Sequence, residues 1–142
     1  MLIIDPNKYI LFDASVLVAA FNKLDKHHQK ASDYIKALQT DKKILLPAQC
    51  LFEIQAAASR RIKALSYLSF EKDKLRIPFD NIAITQQLAD KARDQGLFSI
   101  FGTLKGGDLI YACIAKIYSL PFVTFDRNDF EPYKNEIEII IL

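Results

Sequence analysis

Residues 11–20, LFDASVLVAA, place an aspartate between two apolar runs. The run before it, Tyr9–Phe12, is short and apolar, which is typical of a strand buried on both faces. The run after it has helical spacing over Ser15–Lys23, so Asp13 lies where a strand becomes a helix. Two explanations fit such an aspartate. It is the N-cap of the helix, or it is one of several acids that meet at one edge of a sheet.

The alternation of short apolar strands and helices continues along the chain. Further strands are predicted at Lys43–Leu46, within Arg76–Ile84, at Phe122–Phe125 and at Glu136–Ile141. Further helices are predicted at His28–Thr40, Ala48–Leu65, Thr85–Gln95 and Asp108–Tyr118, with Pro47 in the first turn of the second of these. Residues 97–107 are compatible with a loop, a short helix or a flap. We predict one α/β domain over residues 1–142, a three-layer α/β/α sandwich with a central, mainly parallel sheet.

The composition is that of an ordinary globular protein. The 142 residues are 51% hydrophobic and 25% charged, which argues against disorder. The net charge of +2 and the pI near 8.5 allow a nucleic-acid partner without indicating one. No apolar run approaches the roughly 18–20 residues of a membrane span, and the start of the chain does not resemble a secretory signal. We expect a cytoplasmic protein with buried free thiols at Cys50 and Cys113.

A second aspartate repeats the position of the first. Asp126 follows the predicted strand in PFVTF as Asp13 follows the first strand. In open parallel sheets, ligands bind beyond the carboxyl ends of the strands, where the strand order reverses. Each acid alone is equally well explained as a turn or cap residue, so the pair indicates a site only together with further acids.

Two more acids lie on predicted helices. Glu53 stands early in a helix among apolar neighbours, where burying a carboxylate is costly unless it is paired or bound to a cation. The alternative is a solvated position on a narrow polar stripe. Asp108 stands at the N-terminal end of the helix GGDLIYACIAKIY, where the helix dipole also favours a negative charge for purely structural reasons.

Together these acids indicate a metal site. The four are Asp13, Glu53, Asp108 and Asp126. Brought to one sheet edge, they would repel one another and raise one another's pKa values, so the cluster would require a counter-charge. Hard divalent cations such as Mg²⁺ supply it, since they prefer oxygen ligands. We therefore expect metal-assisted phosphodiester hydrolysis. Four basic side chains are candidates for phosphate contacts or are ordinary solvated residues: Arg60, Arg61, Lys105 and Arg127.

Three segments, in this order, resemble the PIN domain, and especially the VapC-type ribonuclease toxins of prokaryotic toxin–antitoxin pairs. They are ILFDASVLVAAF (10–21), LLPAQCLFEIQAAA (45–58) and GDLIYACIAKIYSLPFVTFDRNDF (107–130). The first has the Asp-x-Ser opening of the family, and the second has its proline followed by a helical glutamate. The third has its Asp-led helix and its Thr-x-Asp strand end. The resemblance implies a Mg²⁺- or Mn²⁺-dependent endoribonuclease, commonly a homodimer, with RNA as substrate and an antitoxin protein as partner.

The resemblance also assigns residues. The catalytic and metal-binding acids it implies are Asp13, Glu53, Asp108 and Asp126. Supporting positions match Ser15, Thr124 and Asp129, the last being often acidic in the family. Residues 97–107 form a longer segment than the smaller toxins have. The apolar stretches AFNKL, YIKAL and SLPF exceed what one small core needs, and they also predict a homodimer.

Three other functions make different demands on the sequence. The first is a non-catalytic PIN-fold module for protein interaction or RNA binding. The nuclease would cleave RNA in a metal-dependent way and lose this activity in Asp13→Asn, whereas the module would show no such cleavage. A phosphoacceptor receiver domain would have an acidic pair beside the first strand, where this chain has Leu11 and Phe12. A haloacid-dehalogenase-like phosphatase would have a second aspartate where this chain has Ser15.

Overall fold

Five short strands form an all-parallel sheet in the computed structural model, which describes residues 3–38, 41–60 and 79–142, without the side chains of 58–60. The strands are β1 (Tyr9–Phe12), β2 (Lys43–Pro47), β3 (Phe79–Ile82), β4 (Phe122–Thr124) and β5 (Ile139–Ile141). Their order across the sheet is β3-β2-β1-β4-β5. The strand order therefore reverses between β1 and β4, the two strands that precede Asp13 and Asp126.

Helices connect the strands. They are α1 (Ala14–Phe21), α2 (His28–Ala37), α3 (Ala48–Arg60), α4 (Gln86–Asp94), α5 (Leu97–Ile100), α6 (Gly106–Tyr118) and α7 (Arg127–Phe130). Because parallel crossovers are right-handed, α1–α3 lie on one face of the sheet and α4–α7 on the other. Contacts of α1 with α2 and α3, and of α4 with α5 and α6, agree with this division. The predicted α/β sandwich is confirmed.

The register of the two central strands places the site. Leu11 pairs with Phe122 and Phe12 pairs with Val123. The Asp13 amide then donates to the Val123 carbonyl at 2.9 Å. The next residue of β4, Thr124, consequently lies beside Asp13 at the carboxyl ends of both strands.

An aromatic cluster packs beneath the carboxyl-terminal edge of β4, between the sheet and the helices α6 and α7. Phe122 of β4 stacks on Tyr111 of α6, with ring centroids 5.1 Å apart, and meets Phe130 of α7 edge-on at 4.8 Å. All three side chains are buried. The cluster anchors α6 and α7, the helices that carry Asp108 and Asp129, against the strand that leads to Asp126.

Several predicted boundaries are corrected. Pro47 is the last residue of β2, paired with Ile82, and does not lie in the first turn of α3. Strand β5 begins at Ile139 rather than at Glu136. Residues 97–107 contain the short helix α5 and a turn, and the Thr103 hydroxyl bonds to the hydroxyl of Tyr133. The segment is therefore tied to the body of the protein. The part of the third predicted helix beyond residue 60 lies outside the described residues.

The apolar stretches that suggested a dimer surface mostly fill the core. Phe21, Ile35, Leu120 and Phe122 are buried, and Leu24 is the exposed large residue among them. The expectation of a homodimer therefore depends on the family resemblance alone. Both cysteines are buried and free, as predicted. Within the described ranges, no helix combines the length and the apolar character needed to cross a membrane.

Candidate metal centre

A single hydroxyl joins the two acids at the strand ends. Thr124 is fully buried (0% exposed), and its Oγ1 donates to Oδ2 of Asp13 at 2.8 Å. The same oxygen accepts the Asp126 amide at 3.0 Å. The threonine therefore fixes the Asp13 carboxylate relative to the backbone that carries Asp126.

Asp13 also caps α1. Its Oδ1 accepts the amide of Ser15 at 3.2 Å, and its backbone is extended, as expected of an N-cap. Burial of the carboxyl group, together with the charge of Asp126, raises the pKa of Asp13 although the bonds from Thr124 and Ser15 oppose the rise. Both explanations of this residue therefore apply, because the capping carboxylate is also a desolvated acid beside another acid.

Three carboxylates converge next to it. Asp108, Asp126 and Asp129 each offer an oxygen, and these oxygens all lie within 4.8 Å of one another. Asp108 is in the first turn of α6, while Asp126 caps α7 by accepting the Asp129 amide at 3.0 Å. Burial raises the pKa of Asp108 to about 6, and the neighbouring carboxylates, Asp13 foremost, contribute to the rise. Because these carboxylates repel one another, keeping all of them ionised without a counter-charge is energetically costly.

Glu53 reaches the site from an exposed helix. Glu53 is exposed, as are its neighbours Leu51 (45%) and Phe52 (80%), so of the two alternatives for Glu53 the structure favours the solvated position over apolar burial. Its carboxylate is nevertheless engaged, since Oε2 accepts the hydroxyl of Tyr111 at 3.1 Å. Partial burial of the carboxyl group, followed by the charge of Asp13, raises the pKa of Glu53.

Gly107 makes room for Glu53. A Cβ at this position would lie 3.0 Å from Oε1 of Glu53, a distance that would force the carboxylate to shift. The absence of a side chain on α6 therefore lets the α3 carboxylate approach the helix that carries Asp108.

Tyr111 is the site residue that sequence reasoning missed. It is buried (1% exposed), and its oxygen accepts the Ala14 amide at 2.9 Å and lies 2.8 Å from Sγ of Cys50. The available signal was a tyrosine three residues after Asp108 in a largely apolar helix. Such spacing puts both on one helix face, and a buried tyrosine requires a polar partner.

The predicted basic residues are not gathered in the same way. Lys105 is exposed and directly precedes α6. Arg127 is exposed and pairs with Glu131, with Nη1 3.3 Å from Oε1. The side chain of Arg60 and the whole of Arg61 lie outside the described residues. Contacts of these four residues with phosphate remain predictions.

The donor set fits a hard divalent cation. Every candidate ligand is a carboxylate oxygen, the ligand type that Mg²⁺ and Mn²⁺ prefer. The ion pairs between described residues are Lys43–Asp80, Arg93 with Asp90 and Asp94, Lys116–Glu136 and Arg127–Glu131. None of these neutralises the cluster, so within the described part of the chain the acids have no cationic side chain of their own.

Comparison with known proteins identifies the family. The family model described as the PIN domain matches residues 10–135. No curated protein matches the chain in sequence.

Solved structures share the fold. A chain of VapBC2 from Rickettsia felis, crystallised with a DNA fragment from the promoter, superposes with a TM-score of 0.61 at 17% identity, over 94% of this chain and 98% of that one. A toxin–antitoxin complex from Klebsiella pneumoniae gives a TM-score of 0.65 at 19% identity, over 92% and 95%. Mycobacterium tuberculosis VapC20, a sarcin–ricin loop cleaving toxin, gives 0.62 at 16% identity, over 87% and 93%. At these identities the likeness shows the fold.

Proposed function

The chain belongs to the PIN domain family, and from this premise we propose that it is a metal-dependent endoribonuclease that hydrolyses RNA phosphodiester bonds. The observation that carries the proposal is the crowding of Asp108, Asp126 and Asp129 at the sheet edge where β1 and β4 end, with the oxygens within 4.8 Å of one another. The Mycobacterium tuberculosis neighbour is a sarcin–ricin loop cleaving toxin, which supports the choice of RNA as substrate.

The proposed ligands of a Mg²⁺ or Mn²⁺ ion are Asp13, Glu53, Asp108 and Asp126. Such an ion, when bound, lowers the pKa of water and offsets charge that develops on the phosphate. Thr124 orients the Asp13 carboxylate through its 2.8 Å hydrogen bond. Ser15 contributes the amide that holds the other oxygen of Asp13, and Asp129 adds a further carboxylate beside Asp126.

Substrate binding is proposed for the basic side chains near the acids. Lys105 immediately precedes the helix of Asp108, and Arg127 immediately follows Asp126. Contacts from lysine and arginine to phosphate position a nucleic acid without reading its sequence. We assign the same role to Arg60 and Arg61.

We also propose that the protein is the toxin of a toxin–antitoxin pair, acting in the cytoplasm as a homodimer. The structural neighbours include toxin–antitoxin complexes, which supports an antitoxin partner. A carboxylate-lined pocket would accept a basic side chain from such a partner by charge complementarity.

An RNA cleavage assay on the purified protein tests the activity. We expect cleavage with Mg²⁺ or Mn²⁺ and none with EDTA, because the acids require a cation to approach a phosphate. Protein carrying Asp13→Asn, purified in the same way, controls for contaminating ribonuclease. If the protein binds RNA but cleaves it with none of these metals, the nuclease assignment is wrong and the chain is a non-catalytic RNA-binding module.

Co-expression tests the partner. A short open reading frame adjacent to the gene is expected to encode a protein that co-purifies with this chain and suppresses cleavage. Light scattering of the isolated chain at micromolar concentration is expected to give the mass of a dimer. A chain that is harmless to its host when produced alone and that purifies without a partner would contradict the toxin assignment.

A further inference from the structure

The hydroxyl of Tyr111 has three hydrogen-bond partners inside the protein. A tyrosine hydroxyl has one proton to donate and two lone pairs that accept. The Ala14 amide is a donor and the Glu53 carboxylate is an acceptor, at 2.9 Å and 3.1 Å respectively. The remaining lone pair therefore takes the Cys50 thiol, 2.8 Å away, as a donor. With both lone pairs occupied by donors, the Tyr111 hydroxyl donates its proton to the Glu53 carboxylate.

Glu53 has little else to hold it. It projects from α3 beside the exposed residues Leu51 and Phe52, and its side chain carries considerable rotamer entropy when unrestrained. Within the described residues, Tyr111 is the hydrogen-bond partner found for this carboxylate. Its other oxygen, Oε1, lies where a Cβ on Gly107 would come within 3.0 Å of it.

Tyr111 itself is rigid. Its ring is 1% exposed and stacks on Phe122 of β4. It also lies three residues after Asp108 on α6, and its Ala14 partner directly follows Asp13. One immobile hydroxyl therefore connects the helix of Glu53 with the strand end of Asp13 and the helix of Asp108.

We propose that Tyr111 is a positioning residue of the metal centre, which fixes the Glu53 carboxylate relative to Asp13 and Asp108. The inference rests on the proposed function, because it assigns Glu53 as a metal ligand. Groups that hold metal ligands in place typically change metal affinity or activity by about 10–100-fold when removed.

Tyr111→Phe tests the inference, since it removes the hydroxyl and keeps the ring. We expect the dissociation constant for Mn²⁺, measured by calorimetry without RNA, to rise by about 10-fold or more. Tyr9→Phe is the matched control. Tyr9 is also a buried tyrosine, and its hydroxyl donates to the Asp80 carboxylate at 2.5 Å, at the opposite end of β1. Equal Mn²⁺ affinity in Tyr111→Phe and the unaltered protein would overturn the inference.

A double-mutant cycle separates positioning from general structural damage. If Tyr111 acts through Glu53, Tyr111→Phe is expected to leave Mn²⁺ affinity unchanged in a Glu53→Gln background. A purely structural effect would persist there, and its persistence would contradict the proposal.

A second variant guards against failure to fold. Tyr111→Phe leaves both the Cys50 thiol and the Ala14 amide without their partner, and removing the thiol as well is less costly than leaving it stranded. Cys50→Ala/Tyr111→Phe, compared with Cys50→Ala, is therefore expected to show the same loss of Mn²⁺ affinity.

Unaltered protein that binds Mn²⁺ but cleaves no RNA would overturn the proposed activity, while the comparison of Mn²⁺ affinities would still decide the role of Tyr111.

Discussion

Asp13→Asn is expected to abolish RNA cleavage without weakening the metal-free fold. Asparagine caps helices about as well as aspartate, so the bond from the Ser15 amide survives the change. The substitution also removes a half-buried negative charge that lies near Asp126. The metal-free protein should therefore be equally or more stable, while cleavage falls on the order of 10³-fold or more, since a catalytic metal supplies several kcal/mol of transition-state stabilisation.

Thermal melts with and without Mn²⁺ test both parts. A ligand that binds the native state raises its stability by mass action, and this rise should shrink in Asp13→Asn and likewise in Asp126→Asn. Asp25→Asn is the matched control, because Asp25 accepts the amide of the residue two positions later at 2.8 Å, as Asp13 does at 3.2 Å, and among the described residues it belongs to no acidic cluster. Unchanged Mn²⁺ response and activity in Asp13→Asn would mean that Asp13 is a helix cap and nothing more.

The strand ends were predictable because their pattern is local. Each of Asp13 and Asp126 directly follows an apolar run of strand length, and Asp13 is also followed by helical spacing, so both acids could be located from their neighbours along the chain. Parallel topology then brings the two ends together. The hydrogen bond that joins them was only implied, since the role of Thr124 came from the family resemblance rather than from any period in the sequence.

The surroundings of Glu53 were not predictable in the same way. The apolar residues around Glu53 on α3 are compatible with a buried or an exposed helix face, and composition does not say which face is covered. In the structure Leu51 and Phe52 are exposed to solvent. The partner of Glu53 is Tyr111, which is distant in sequence and is brought close by tertiary packing. Pro47 was misplaced by one element for a related reason, because proline suits either the first turn of a helix or the end of a strand.

The metal-free protein is expected to lose stability as pH rises from about 4 to about 7. The pKa of Asp108 in the folded protein is about 6, above its ordinary value of 3.8. The folded state therefore binds more protons than the unfolded state between these values, and the free energy of unfolding falls as pH rises through the interval. The pKa values of Asp13 and Glu53 are also raised, which adds a slope of the same sign. The acids that face Asp108 are Asp13, Glu53, Asp126 and Asp129.

Asp108→Asn is expected to flatten this dependence and to remove Mn²⁺ binding. Its amide does not titrate, and it relieves the repulsion that the surrounding carboxylates exert. Urea unfolding between about pH 4 and pH 7, in EDTA, gives the free energies to compare, with Asp25→Asn as a control that should retain the slope of the unaltered protein. In Mn²⁺ the slope of the unaltered protein should reverse, because metal binding requires ionised carboxylates and strengthens as they lose their protons. Parallel curves for Asp108→Asn and the unaltered protein in both solutions would show that the carboxylates at the ends of β1 and β4 neither repel one another nor share a cation.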